Sequence, residues 1–131
     1  QGKSKGIWKE GKILRGIRSK GLMKLKQSEH DIQTLIKTYL EYKGWFVWRN
    51  NSGRVAVGTG KYRRMIIMGQ AGLPDLFAVK QDYPAIGIEV KSATGKPTEL
   101  QERMQEVLRE HGVATVVARS VDDVEKFLKL L

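Results

Sequence analysis

The chain has no cysteine among its 131 residues. That removes disulfide scaffolding, thiol catalysis and every cysteine-containing zinc site from consideration. It has only two histidines, His30 and His111, too far apart in the sequence to form a histidine metal motif. No apolar run exceeds a handful of residues, so nothing approaches the ~20 needed for a membrane-spanning helix, and the basic N-terminus is not followed by the apolar stretch of a secretory signal. Prolines number three. Acidic residues are also in short supply: 14 Asp+Glu against 24 Lys+Arg, a formal net charge of +10. At 40% hydrophobic and 29% charged residues, the composition is that of a globular chain long enough for one domain with a real core.

The charge is unevenly placed. Residues 1–26 hold nine Lys/Arg and the single acid Glu10, a net of +8, which leaves +2 for residues 27–131. With five glycines and no steady periodicity, residues 1–26 read as a flexible basic arm attached to a domain over 27–131. A second reading stands beside it. The opening Gln1-Gly2 resembles the scar of an expression-tag cleavage, and Met23 offers a natural start, which would leave the rest at +4. Bulk charge alone therefore says little about nucleic acid as partner.

Ser28, with Asp31 three positions on, predicts a capped helix carrying Ile32, Leu35, Ile36, Tyr39 and Leu40 at helical spacing and ending near Lys43-Gly44. Strands are expected at Trp45–Trp48, Arg54–Val57, Arg64–Met68, Asp75–Lys80 and Ala85–Lys91, separated by turns rich in Gly, Asn and Pro. Thr98 with Gln101 starts a second helix to His111-Gly112, Val113–Ala118 is an apolar strand, and Ser120 with Asp123 starts a helix to the C-terminus. The order α-β-β-β-β-β-α-β-α implies an α/β fold: a central mixed sheet flanked by helices.

Within this frame one segment carries chemistry. Glu89 and Lys91 share one side of a strand, and a hairpin about Gln81–Pro84 would bring Asp75 beside them, although nothing in the sequence fixes its register. Two carboxylates and an ammonium at one sheet end suit a hard divalent ion that completes its shell with phosphate oxygens and water. Taken singly, an E-x-K triplet is usually a solvated face and Pro-Asp ordinary turn chemistry. The apolar Ile86, Ile88 and Val90 on the other face make the strand central, where stranded charges are costly. Glu29 falls on the apolar face of the first helix. Gln101 falls on the face built by Leu100, Met104 and Leu108 of the second. Each also has a local explanation, as a first-turn acid and a capping-box amide.

Pro74-Asp75 … Glu89-Val90-Lys91 resembles the PD-(D/E)xK nuclease superfamily. Together with Glu29, Gly72-Leu73-Pro74-Asp75-Leu76 and Thr98-Glu99-Leu100-Gln101, it resembles the virus-type replication-repair nuclease (VRR-NUC) group, from about Ser28 to Phe127. The resemblance implies a restriction-endonuclease-like core in which Asp75, Glu89 and the Val90 carbonyl bind Mg²⁺, with Mn²⁺ able to substitute. It implies that Lys91 is the catalytic lysine, Glu29 a metal- or water-positioning carboxylate and Gln101 a site-organising amide. It further implies hydrolysis of DNA, often branched, with flaps or four-way junctions as substrates. A phage-type stand-alone member would act as a homodimer in the host cytoplasm.

Other features point elsewhere. Thr94-Gly95-Lys96-Pro97 fails as a phosphate loop, because Pro97 replaces the needed hydroxyl and Val90 the first glycine, so no nucleotide cofactor is expected. Tyr39, Trp45, Phe46 and Trp48 read as core in preference to base-stacking platforms. Lys61, Arg63 and Arg64 beside Gly58 and Gly60 make the best phosphate-contacting loop, or an ordinary solvated hairpin. A non-catalytic DNA-binding or junction-holding module is the competing function.

Overall fold

The structure is a computed structural model that describes residues 26–50 and 53–131. The basic segment 1–26 read as an arm therefore lies outside the described residues, Lys26 excepted. Helix α1 spans Glu29–Tyr42, and its start follows from a reciprocal cap: Ser28 Oγ accepts from the Asp31 N–H at 3.0 Å, and Asp31 Oδ2 accepts from the Ser28 N–H at 3.2 Å. Ile32, Ile36, Tyr39 and Leu40 form its buried stripe. The helix ends where Gly44 takes φ +94° and the Trp45 N–H returns to the Leu40 carbonyl at 3.0 Å.

Strands β1 (Phe46–Arg49), β4 (Leu76–Val79), β5 (Ile86–Val90) and β6 (Ala114–Ala118) form a four-stranded sheet in the order β1-β4-β5-β6. The first two pairings are antiparallel and the last parallel, which gives the mixed sheet expected from the element order. The β4–β5 hairpin turns through Gln81–Pro84, and its register sets Leu76 against Ile88. The parallel β5–β6 pair requires a crossover, supplied by helix α2 (Glu99–Glu110). Helix α3 (Val121–Leu128) follows β6, with Ser120 Oγ accepting from Asp123 N–H at 3.2 Å.

Two expected strands are not part of this sheet. β2 (Gly53–Val57) and β3 (Arg64–Met68) pair only with each other, as an antiparallel ribbon joined by a short 3₁₀ turn at Gly60–Tyr62. β1 pairs instead with β4, and among the described residues the ribbon makes no extended contact with the helices or the main sheet.

The core lies between α1, α3 and one face of the sheet, where Leu76, Ala78, Ile86, Ile88, Val90, Ala118 and Val124 join the α1 stripe. Each fully buried Leu or Ile contributes about 1.5–3 kcal/mol of transfer free energy. Because β5 is buried on both faces, its odd-numbered residues are covered as well. A Cβ at Gly87 would meet Pro74 Cγ at 3.0 Å and Phe77 Cε1 at 3.2 Å, so any larger residue would push those two rings back by a few tenths of an ångström. No helix among the described residues is long and apolar enough to cross a membrane.

The aromatic expectation holds only in part. Tyr39 and Trp45 are core, but Phe46 is 69% and Trp48 39% exposed. Val47 takes the inward position of β1, so alternation sends Phe46 and Trp48 to the face away from α1.

Candidate active site

The loop before β4 delivers Asp75. Gly72 holds φ +84°, and a Cβ there would lie 2.9 Å from Leu100 Cγ, so the loop passes tightly against the first turn of α2. Pro74 is buried, and its carbonyl accepts from Asn50 Nδ2 at 2.7 Å, while the Asn50 N–H donates to the Asp75 carbonyl at 2.9 Å. Asp75 is thus fixed by backbone contacts on one side. On the other, its Oδ2 accepts from the Val90 N–H at 2.8 Å.

Continuing the β4–β5 register by two residues brings Val90 opposite Pro74, which has no N–H to give. The Val90 N–H goes to Asp75, and the carbonyl that points to the same side is not claimed by that ladder.

Glu89 is 1% exposed. Its Oε2 accepts from Gln101 Nε2 at 3.0 Å and lies 3.3 Å from Lys91 Nζ, while its buried Oε1 has no donor and the Glu89 side chain is otherwise matched only by a hydrogen bond shared with the Asp75 carboxyl. An orphaned carboxylate oxygen beside a second carboxylate is expensive. Burial, reinforced by the like charge of Asp75, pushes the Glu89 carboxyl up to about 8. Burial also raises Asp75, against the Val90 N–H and the Lys91 charge, with the Glu29 charge adding to the rise. Lys91 itself is buried, and its N–H continues the parallel ladder to the Ala118 carbonyl at 3.0 Å.

Glu29, in the first turn of α1, is half-buried at the same sheet end, with Oε2 accepting a long 3.4 Å contact from the Ser92 N–H. Gln101 makes two hydrogen bonds: Oε1 accepts from the Thr98 N–H at 2.9 Å to complete the α2 cap, and Nε2 donates to Glu89 Oε2 at 3.0 Å. The inward face of α2 differs from the expectation. Gln105 is buried and Leu100 is half-exposed, so the stripe runs through Gln101, Met104, Gln105 and Leu108.

Asp75, Glu89, Val90, Lys91, Gln101 and Glu29 therefore meet at one end of the sheet. Lys61, Arg63 and Arg64 do not join them: they are exposed on the turn and the β3 end of the ribbon. The sequence reading missed two supports. Asn50 braces Pro74-Asp75 but sits in an Asn-Asn-Ser-Gly run that reads as turn chemistry. Arg119 follows β6, and its guanidinium Nη1 donates to the carbonyls of Ser92 and Gly95, pinning the loop after Lys91.

Among the described residues no three His, Cys, Asp or Glu side chains cluster closely enough to cage a metal. The donors present are two carboxylates and a backbone carbonyl. Together with Glu89 Oε1, which has no donor, this fits a hard ion that draws the remainder of its shell from water and substrate.

The double duty of Gln101 can be separated. Gln101→Ala should cost about 1 kcal/mol in thermal unfolding through the cap. Gln101→Glu keeps the cap acceptor but sets a third carboxylate oxygen against Glu89. It should therefore melt within a degree or two of wild type at pH 5, where the acids share protons, and well below it at pH 8.

No family model matches this sequence, and no curated protein matches it. Among solved structures, a chain described as a VRR_NUC domain is similar in fold, with a TM-score of 0.58 and 23% sequence identity, covering 79% of this chain and 97% of that one. The shared fold is a mixed sheet flanked by helices.

Proposed function

We propose that this chain is a metal-dependent nuclease of the VRR-NUC type that hydrolyses phosphodiester bonds in DNA. The observation that carries the reading is the pairing of Asp75 with Glu89, whose buried Oε1 has no donor, beside the Lys91 ammonium. A sheet built only for stability gains nothing from this arrangement, which costs desolvation and like-charge repulsion. The likeness in fold to a VRR_NUC domain supports it.

In this reading Asp75, Glu89 and the Val90 carbonyl would hold Mg²⁺, or Mn²⁺ in its place. When bound, the ion supplies positive charge at the scissile phosphate and makes an attacking water more acidic. The chain's own residues do the remainder. The Val90 N–H and Asn50 fix Asp75; Gln101 and Lys91 hold one Glu89 oxygen and leave the other free. Lys91 faces the reacting phosphate, where its ammonium orients the water or balances the negative charge of the pentavalent transition state. Glu29 orders the water on the α1 side. Water attacks phosphorus in line, the new P–O bond forms as the bond to the leaving sugar oxygen breaks, the water's proton passes to bulk solvent, and the leaving oxygen takes up a proton from solvent. Branched DNA, flaps or four-way junctions, is the proposed substrate, and a homodimer the proposed working form.

The test is a panel of labelled linear, flapped and four-way DNA incubated with Mg²⁺ or with EDTA. Cleavage only with the metal, strongest on a branched member, is the expected result. Salt-sensitive binding to every member without turnover in Mg²⁺ or Mn²⁺ would mean a non-catalytic binding module.

The exposed Lys61, Arg63 and Arg64 are proposed to contact the DNA backbone. Replacing all three with alanine should weaken binding alike across sequences and flatten the salt dependence, by roughly 0.9 in log–log slope for each phosphate that is no longer neutralised. Affinities measured at several salt concentrations check it.

A further inference from the structure

The sheet face that carries Glu89 and Lys91 is only half covered. On the β6 side α2 lies over it, with Gln105 buried and Arg109 Nη1 donating to Thr115 Oγ1 at 2.6 Å. On the β1–β4 side no described helix packs over it, and the residues presented there are Phe46, Trp48, Phe77 and Val79. Phe46 is 69%, Val79 40% and Trp48 39% exposed. The three rings form a ladder: Phe46 and Trp48 are 5.8 Å apart, and Trp48 and Phe77 are 5.8 Å apart and stacked at 27°. Phe77 lies one alternation beyond Asp75, about 7 Å along the strand. The ladder thus runs straight into the carboxylate pair.

We infer that this aromatic ladder is a subsite for unpaired nucleobases next to the scissile phosphate. The inference rests on the proposed nuclease reading and names the part of the substrate that reading leaves open. The choice of occupant follows from continuity. A folded protein seated on Phe77 and Trp48 would stand against Asp75 and obstruct a phosphate from reaching it. A polynucleotide occupies both places at once, with its phosphate at Asp75 and Glu89 and the neighbouring base on the rings. Paired bases in a duplex keep their faces against each other, so only a splayed or single-stranded segment offers a free face to stack. Aromatic side chains on an open sheet face provide that platform without sequence preference.

The test compares two DNAs of matched sequence, a blunt duplex and one with a single-stranded flap carrying 2-aminopurine at its first unpaired positions. Affinities are measured in EDTA, so the outcome does not depend on whether the chain cleaves. Wild type should quench the 2-aminopurine. In Trp48→Ala the preference for flapped over blunt DNA should fall about tenfold, the scale of one base–aromatic stack. Trp48→Phe should restore most of it, and Trp48→Leu, equally apolar but not flat, should not. Phe46→Ala should act in the same direction. An equal loss on both DNAs, or full rescue by leucine, would overturn the inference. So would a drop in sedimenting mass in Trp48→Ala, which would make the strip a contact between two copies of the chain. A Trp48 environment that changes on removing residues 1–22 but not on adding DNA would assign the strip to the chain's own N-terminal segment and overturn it as well.

Discussion

Replacing Glu89 with glutamine should raise the melting temperature of the metal-free protein at pH 8 while abolishing its cleavage of DNA. Burial and the adjacent Asp75 charge hold the Glu89 carboxyl at about 8, against an ordinary value of 4.5. Between those values the folded state binds more protons than the unfolded state, so stability falls as pH rises. The contribution is fully present below about pH 4.5 and is lost as pH passes through about 8. Each unit of such a shift corresponds to about 1.4 kcal/mol, so the deficit at pH 8 is a substantial fraction of a small domain's stability. Glutamine removes it. Its carbonyl oxygen can accept from Gln101 and Lys91 as Glu89 Oε2 does, and its amide N–H groups replace the orphaned oxygen beside Asp75. Melts of the two proteins should nearly coincide at pH 5 and diverge by several degrees at pH 8. Added Mg²⁺ should raise the wild-type melting temperature by mass action and leave Glu89→Gln unmoved. If Glu89→Gln is destabilised equally at both pH values, the carboxylate is a structural partner of Lys91 and not a strained ligand.

Lys91→Met should lower cleavage by about 10²–10³-fold, the usual loss when a charge aimed at a transition state is removed, while Mg²⁺ still raises the melting temperature. The side chain is nearly as buried as that of Glu89, and its Nζ lies 3.3 Å from Glu89 Oε2. Methionine fills much the same volume, so packing loss is small. Without the ammonium, Asp75 and Glu89 lose a nearby positive charge that lowers both carboxyls. Metal affinity should therefore weaken modestly at neutral pH and recover as pH rises. Lys91→Arg should not rescue the rate, because a planar guanidinium cannot occupy the position of a compact ammonium. The informative comparison is single-turnover rate against metal-induced stabilisation. Loss of both together would make Lys91 a structural support.

The parts legible in the sequence were those fixed by local chemistry. Ser28, Thr98 and Ser120 marked the starts of α1, α2 and α3 through short-range caps that need no tertiary context. The β4–β5 hairpin was legible from the short turn at Gln81–Pro84, but its register, which brings Asp75 to Val90, was fixed only by the structure. Pairing across long separations was not legible. β1 bonds to β4 although β2 and β3 intervene, and nothing in the sequence says that β2 and β3 form a separate ribbon.

The aromatic residues show the same limit. Alternation separates Val47 from Phe46 and Trp48, but which face receives a helix depends on where α1 and α2 pack. At the site, residue type and spacing marked out Asp75, Glu89, Lys91, Glu29 and Gln101, since unpaired acids and amides on apolar faces stand out against the pattern. Asn50 and Arg119 did not stand out. Each acts through contacts more than twenty residues away in sequence, and each has an ordinary local reading, as a turn residue and as a surface cation.

The role proposed for Asp75 and Glu89 is to form the metal centre of a phosphodiesterase. It is tested most directly by single-turnover cleavage of a labelled four-way or flapped DNA, wild type beside Asp75→Asn, at protein concentrations that saturate binding for both and across a Mg²⁺ titration. Asparagine keeps an oxygen acceptor for the Val90 N–H, so the fold and DNA binding persist. The expected result is Mg²⁺-dependent cleavage by wild type and a loss of at least about 10³-fold in the variant that saturating metal does not restore. Cleavage by Asp75→Asn at the wild-type rate, or wild-type cleavage unaffected by EDTA, would contradict that role.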